Sequence, residues 1–506
     1  MAKLSDLPSE LVYQIIEYIL VRDDQGPHDW QGQSIDADHY RLLDHNGIGP
    51  IKSKPRPHLE RFSRNPTPRT LPRHFRAAAA LQPHASWPGA IPSNHLLPLS
   101  LVNRTFRRCA QELLFKNVPV LSRWRAISLL QTLTRHAIQN PSTLPGGWFN
   151  RKHRRNAQDN NVSMVRWFDI DYSRLSSLTR HVRSLQLVCD GICSVSKGSG
   201  DLFCGIIRSC PLLMNIAIST AVSMDCKDLM LEALSSRPLI KEFVILDNLD
   251  HNNRSIFQWN VDDVVGRLFS KWDHLETVEL SGLRGPSGRL MGTAQRPIPI
   301  LNCEVLTLIL RNPELDEQEL SRFLKNFRHS MRTLEICNPG GGIDLEGFCR
   351  ILQGSTNPDL ECLKVEIDWR FDDSESITSS AGGDVNHDIP SSNKSLLDAV
   401  FESPSALRRL KSLSFTGDTA TSKLFQSLPD SIVKLAWEDC DICLTAFAEV
   451  LSSSTQDRPV LPNLKSCSVR HRWGLSREEI RNAETALEVR EAYLQRDFTM
   501  VDGSPT

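Results

Sequence analysis

No run of about 18 apolar residues occurs anywhere in this 506-residue chain, so no membrane-spanning helix is expected. The first residues also lack a basic stretch followed by an unbroken apolar run. Glu10, Gln14 and Glu17 interrupt the apolar residues, which argues against a secretory signal. Asp6, Glu10 and Glu17 carry the wrong charge for a mitochondrial presequence. No GxSxG or GxGxxG is present, and Gly340-Gly341-Gly342 has no Gly-Lys-Ser/Thr completion. The histidines form no metal-ligand spacing. Cys440 and Cys443 make a CxxC with no second ligand pair and no thioredoxin-like context, so they read as structural thiols. No cofactor, no metal and no catalytic residue is therefore assigned, and an enzyme is not expected. Net charge is nearly absent too, at −1, which gives no reason to expect nucleic-acid or membrane binding by the whole chain. The thirteen cysteines are odd in number and scattered, and without an export signal they read as reduced, mostly buried thiols of an intracellular protein.

What the chain does contain is a recurring hexapeptide with apolar residues at positions 1, 4 and 6. It appears as VRSLQL (182–187), LMNIAI (213–218), IKEFVI (240–245), LETVEL (275–280) and CEVLTL (303–308). It continues as MRTLEI (331–336), LECLKV (360–365), LKSLSF (410–415), IVKLAW (432–437) and LKSCSV (464–469). Successive final apolar residues stand 31, 27, 35, 28, 28, 29, 50, 22 and 32 apart. Most of these steps lie near the ~20–29 of leucine-rich repeats. The alternation predicts short strands with one buried face, and helices are expected between them at 316–330, 344–354 and 445–454. A strand–helix unit cannot bury its apolar side alone, so the units should stack. The fold class expected is α/β: an irregular leucine-rich repeat solenoid over 178–474, with parallel strands on a concave face and helices outside. The 50-residue step contains FDDSESITSSAGGDVNHDIPSSNK (371–394), which reads as a flexible excursion from one repeat. A helix over 475–498, within a terminal region 475–506, should cap the array.

The first part of the chain is different. LSDLPSELVYQIIEYIL (4–20) predicts an amphipathic helix with Pro8 in its first turn and an apolar stripe of Leu11, Ile15, Ile16, Ile19 and Leu20. Residues 22–95 are rich in Pro, His, Arg and Gly with little periodicity, and read as a disordered insertion. NHLLPLSLVNRTFRRCAQELLFKNVPV (94–120) then suggests two short helices, followed by a linker and a first irregular repeat over 121–177. Within it, Arg151, Lys152, Arg154 and Arg155 read as a solvated loop, with a nuclear-import signal as the alternative. Residues 1–155 hold 22 Lys+Arg against 11 Asp+Glu, so the near-neutral total hides a basic first third and an acidic remainder.

Joined across the insertion, the two N-terminal pieces resemble an F-box. Leu7-Pro8, Glu10-Leu11, Ile15 and Ile19 match the first part of that pattern; Leu96, Leu97, Leu99, Leu101, Val102 and Phe106-Arg107 match the second. The resemblance covers about 40 residues, and the insertion is a departure from the family. Loop-closure entropy grows slowly with length, so the insertion does not forbid packing. The resemblance implies a non-enzymatic substrate receptor of an SCF (Skp–cullin–F-box) ubiquitin ligase. Its partners would be the SCF adaptor subunit, cullin through it, and an unknown protein substrate, in the cytoplasm, the nucleus or both. Leu7, Pro8, Leu11, Ile15, Leu99, Val102 and Phe106 would contact the adaptor or build the module core. The alternative is a leucine-rich-repeat interaction scaffold outside any ligase. On the strand face, Glu279, Glu335, Glu366, Asp368 and Glu438 are the expected substrate contacts, their acidic lean favouring a partner with a basic segment.

Overall fold

The structure is a computed structural model of the 506-residue chain. It describes residues 7–24, 99–120, 123–134, 175–187, 199–219, 226–246, 258–285, 301–340, 343–367, 395–403, 407–488 (without 418, 439, 441, 443, 454–459 and 471–476) and 492–496. The expected excursion at 371–394, the basic cluster at 151–155, Asp368, and nearly all of the insertion 22–95 lie outside the described residues. The chain divides into two compact units. One comprises Met1–Phe257 with Lys271–Leu275, the other Gln258–Ser270 with Glu276–Thr506.

In the first unit, α1 (Ser9–Asp24) packs on α2 (Arg104–Lys116), and the chain passes directly into β1 (Asn117–Val120) and α3 (Arg123–Thr134). There follow β2 (Ser184–Leu187), α4 (Ser199–Ser209), β3 (Asn215–Ser219), α5 (Lys227–Ser235) and β4 (Glu242–Leu246). The four strands pair in sequence order, all parallel. The second unit repeats the plan with β5 (Thr277–Ser281), β6 (Thr307–Arg311), α6 (Glu317–Lys325), β7 (Thr333–Cys337), α7 (Leu345–Gly354) and β8 (Cys362–Glu366). It goes on with α8 (Leu396–Glu402), β9 (Ser412–Thr416), β10 (Lys434–Glu438), α9 (Leu444–Ser453), β11 (Ser466–Arg470), α10 (Arg477–Glu488) and β12 (Tyr493–Arg496). These eight strands are again parallel neighbours in chain order. The protein is thus an α/β chain of leucine-rich-repeat-like strand–helix units.

The recurring hexapeptide has a physical meaning at each position. The position-1 residues Val182, Leu213, Ile240, Leu275, Met331, Leu360, Leu410, Ile432 and Leu464 are all buried where the chain turns into its strand. Positions 4 and 6 become the second and fourth strand residues, such as Val278 and Leu280, and form the buried layer. One repeat is displaced. Val278 pairs with Leu308 and Leu280 with Leu310, so the hexapeptide of β6 is 305–310 and not 303–308. Cys303, Val305, Leu308, Ile309 and Leu310 are all buried, and a continuous apolar run fits more than one register.

Two backbone ladders hold neighbouring repeats in step. At the strand start, one carbonyl per repeat accepts two N–H groups from the next. Glu276 receives Leu306 and Thr307, Leu306 receives Arg332 and Thr333, and Arg332 receives Glu361 and Cys362. The same pattern continues through Glu361, Lys411 and Val433. At the strand exit, Gly282, Asn312, Asn338 and Gly417 adopt positive φ, between 47° and 71°. Each donates its N–H to the last carbonyl of the adjacent strand, at 2.6–3.1 Å. Glycine and asparagine are the residues that reach this conformation most cheaply. Asp316 then starts α6 with a reciprocal capping box to Glu319, and Asp344 caps α7.

Residues 99 and 100 are helical and a turn separates them from α2, in keeping with the two helices expected over 94–120, but 117–120 form β1. A second difference concerns the other end. The terminal helix stops at Glu488, and the chain returns as β12, pairing with β11. The expected cap is therefore itself another strand–helix unit.

Candidate functional site

The small N-terminal module is built on an i, i+4 pair. Val12 and Ile16 are fully buried against Phe106, Cys109 and Ala110, and Leu7, Tyr13, Leu99, Leu113 and Leu114 pack around them. Asn103 caps α2 by accepting the Phe106 N–H at 2.9 Å, which fixes where the arriving chain becomes helical. The buried stripe therefore lies one residue further round α1 than the sequence suggested. This rotation sorts the seven predicted module residues. Phe106 is in the core, and Leu7 and Leu99 pack against it. Pro8 is exposed, as are Leu11 (44%), Ile15 (38%) and Val102 (47%), joined by Leu101 at 77%. Single exposed leucines are ordinary, but four large apolar side chains bordering a core of five residues are a feature of docking surfaces.

A second contact steadies the two helices. Tyr13 Oη donates to Glu112 Oε2, and the same carboxylate oxygen lies 4.0 Å from His181 Nδ1, just ahead of β2. Burial, with the Glu112 hydrogen bond and charge behind it, raises the Tyr13 pKa. Burial likewise raises that of Cys109.

The strand face opposite the buried layer is the other candidate. In the second unit its middle row runs Glu279, Ile309, Glu335, Lys364, Ser414, Ala436 and Ser468. Its exit row runs Ser281, Arg311, Cys337, Glu366, Thr416 and Glu438. The acidic lean expected here is offset by cations. Arg311 Nε donates to Glu279 Oε1 at 2.6 Å, and Lys364 Nζ lies 3.7 Å from Glu366 Oε2. Desolvation disfavours the Arg311 charge, yet Glu279, with Glu335 nearby, outweighs it and raises the pKa. Glu279 and Glu335 are themselves buried, at 8% exposure each, while Glu366 and Glu438 are half-buried. Burial pushes the Cys337 thiol up to about 11. Sequence reasoning missed Arg311 because the displaced hexapeptide ended at 308.

The remaining sequence candidates bring no chemistry together. Cys440 is buried with its thiol 3.2 Å from the Glu438 carbonyl, and Cys443 lies outside the described residues. Among the described residues no group of three or more His, Cys, Asp or Glu could hold a metal ion, and no helix is long and apolar enough to cross a membrane.

No family model and no curated protein matches the chain. Solved structures do. A TLR13–ssRNA13 complex is 14% identical with a TM-score of 0.33, covering 57% of this chain, which spans only 36% of that one. The leucine-rich repeat-containing protein LegL7 from Legionella pneumophila is 12% identical with a TM-score of 0.34, covering 66% of this chain and 87% of its own. A Bacteroides fragilis protein is 12% identical with a TM-score of 0.32, covering 57% of this chain and 66% of its own.

Proposed function

We propose that this chain is a substrate receptor of an SCF-type ubiquitin ligase, acting without catalytic chemistry of its own. The helical module would hold the adaptor, and through it cullin, while the strand face of the repeats would hold a protein substrate. The observation that carries this reading is the division within the module. Its core is already closed by Val12, Ile16, Phe106, Cys109 and Ala110, yet Leu11, Ile15, Leu101 and Val102 remain in solvent. Ligase action would then be proximity: a substrate lysine held near a charged E2 reacts as in an intramolecular step. The reading places the protein in the cytoplasm, the nucleus or both.

The test is co-purification of the full chain with the SCF adaptor, beside the variant Leu11→Ala, Ile15→Ala, Leu101→Ala, Val102→Ala. These side chains are exposed, so the fold should survive. Truncating interface anchors costs about 1–2 kcal/mol each, and the affinity should fall on the order of 100-fold or more. Failure of the wild-type chain to retain the adaptor would leave a second reading, a repeat scaffold outside any ligase. The two ladders of repeats favour that reading equally, since they exist with or without an adaptor.

A further inference from the structure

Helices α4 and α5 belong to consecutive repeats of the first unit and pack against each other. Their contact runs through Gly200. A Cβ added there would overlap both the Cβ and the Sγ of Cys226, so glycine is what lets the Cys226 side chain lie against the α4 backbone. Cys226 is the N-cap residue of α5. Cys204 follows Gly200 by four residues, on the same face of α4, and side chains so spaced have Cβ atoms about 5–6 Å apart. The Cys226 sulfur, seated on Gly200, therefore lies about one helical turn from Cys204. Side-chain rotation and a small helix shift can close such a gap to the ~3.8 Å between the Cβ atoms of a disulfide. Both side chains are buried, Cys204 at 2% and Cys226 at 7% exposure, and both are thiols. Burial pushes Cys204 up to about 12; Arg208 opposes the rise and Cys226 adds to it, as a second thiol within electrostatic reach does. Cys210, at the end of the same helix, is also pushed up to about 12 by burial, but there Arg237 is the charge beside it. Thus α4 sets one cysteine against a thiol and another near a guanidinium.

We propose that Cys204 and Cys226 are a modification site, oxidised by hydrogen peroxide to a reversible disulfide that ties the helices of two consecutive repeats together. Cys226 reacts first. It is the more exposed of the two, and the start of a helix favours the thiolate. Its sulfur attacks one peroxide oxygen. The S–O bond forms as the O–O bond breaks, and the departing hydroxide takes the thiol proton and leaves as water. Cys204 then attacks the sulfur of the resulting sulfenic acid. The S–S bond forms, the S–O bond breaks, and the second hydroxide leaves with the Cys204 proton as water. Two thiols are oxidised, and one peroxide is reduced to two waters. The bond closes a loop of chain that contains β3, so openings that part α4 from α5 become rarer. The site is independent of the adaptor reading.

The test uses the full chain, reduced and then exposed to a small excess of hydrogen peroxide. Remaining thiols are capped with N-ethylmaleimide, and the protein is digested without reduction. Mass spectrometry should find the peptides of Cys204 and Cys226 joined, and separate again after dithiothreitol. In Cys204→Ser the reaction should stop at the Cys226 sulfenic acid, trapped by dimedone. Gly200→Ala keeps every cysteine but fills the seat of Cys226, so most of the cross-link should be lost. Hydrogen exchange over 210–226 should slow about tenfold or more in the oxidised wild type. Both cysteines recovered as maleimide adducts from the oxidised wild type overturn the proposal, and so does Cys226 joined to a different cysteine. A Cys204–Cys226 bond that forms only in urea overturns it as well, because the folded contact would not be its cause. A cross-link undiminished in Gly200→Ala removes the seat from the argument and the proposal with it. Unchanged exchange over 210–226 in the cross-linked chain overturns the tie between repeats.

Discussion

The strands of the two units share one hydrogen-bonding scheme but differ in how far their second face reaches water. In the first unit the middle row is closed over β2 to β4, behind a half-buried Pro119 on β1: Gln186, Ala217 and Val244 are at most 1% exposed, and every residue of β2 is buried. In the second unit the row begins almost as closed, with Glu279, Ile309 and Glu335, and opens at β8. From β8 to β10 buried and half-buried residues strictly alternate, so that Lys364, Ser414 and Ala436 meet solvent. A parallel sheet clothed on both faces is a structural layer; one with an open face can also receive a partner. The same fold therefore supplies bulk support in one stretch and an accessible polar face in another.

Breaking the apolar layer should have the largest effect. Trp437 projects from β10 among Phe415, Phe425 and Phe447, with ring centroids 5.3–6.4 Å away. Trp437→Ala should cost about 3–5 kcal/mol in chemical denaturation. The ion pair at the closed start of the second unit's strand row comes next. Arg311→Ala removes the Arg311 ion pair from the Glu279 carboxylate, 10% exposed, and since Arg311 itself is 25% exposed the loss should be about 2 kcal/mol. Glu279→Gln added to Arg311→Ala should recover most of it, and a purely additive double variant would show that the pair is not coupled. The smallest change should have the opposite sign. Gln186 Nε2 is buried in the closed row with no hydrogen-bond partner. Gln186→Met keeps the volume and removes the unmet donor, and should raise stability by about 1 kcal/mol. A destabilised Gln186→Met would mean that the closed row is held by that amide, and the contrast between the two units would need restating.

Nine of the ten hexapeptides could be read in register because three constraints agree at each: a buried turn residue and two buried strand residues at alternate places. At 303–310 apolar residues fill nearly every position, the constraint degenerates, and a two-residue slip follows. That slip hid Ile309 and Arg311, and with Arg311 the neutralisation of the acidic face. β1 was illegible because NVPV is four residues long and contains Pro119, while β12 was absorbed into the preceding helical pattern. In the module, the sequence placed Leu11, Ile15 and Ile16 on one stripe. Burial of Val12 with Ile16 turns the helix by one residue, and only packing against Phe106 decides between the two. The module residues were thus legible as a group, but not the division between those that hold the module together and those left in solvent.

The ladder of shared carbonyls has one more consequence. Register between repeats is carried by backbone groups at the strand starts, so the return path between strands is free to vary. Strand starts at 362 and 412 stand 50 residues apart, those at 412 and 434 only 22, yet both pairs keep residue-for-residue alignment. Since closing a loop of twice the length costs only about 0.6 kcal/mol more, each return path is a site where new sequence can be grafted at little thermodynamic expense. The repeats behave as a fixed spine with interchangeable ribs, able to diverge in length and surface while the spine stays the same.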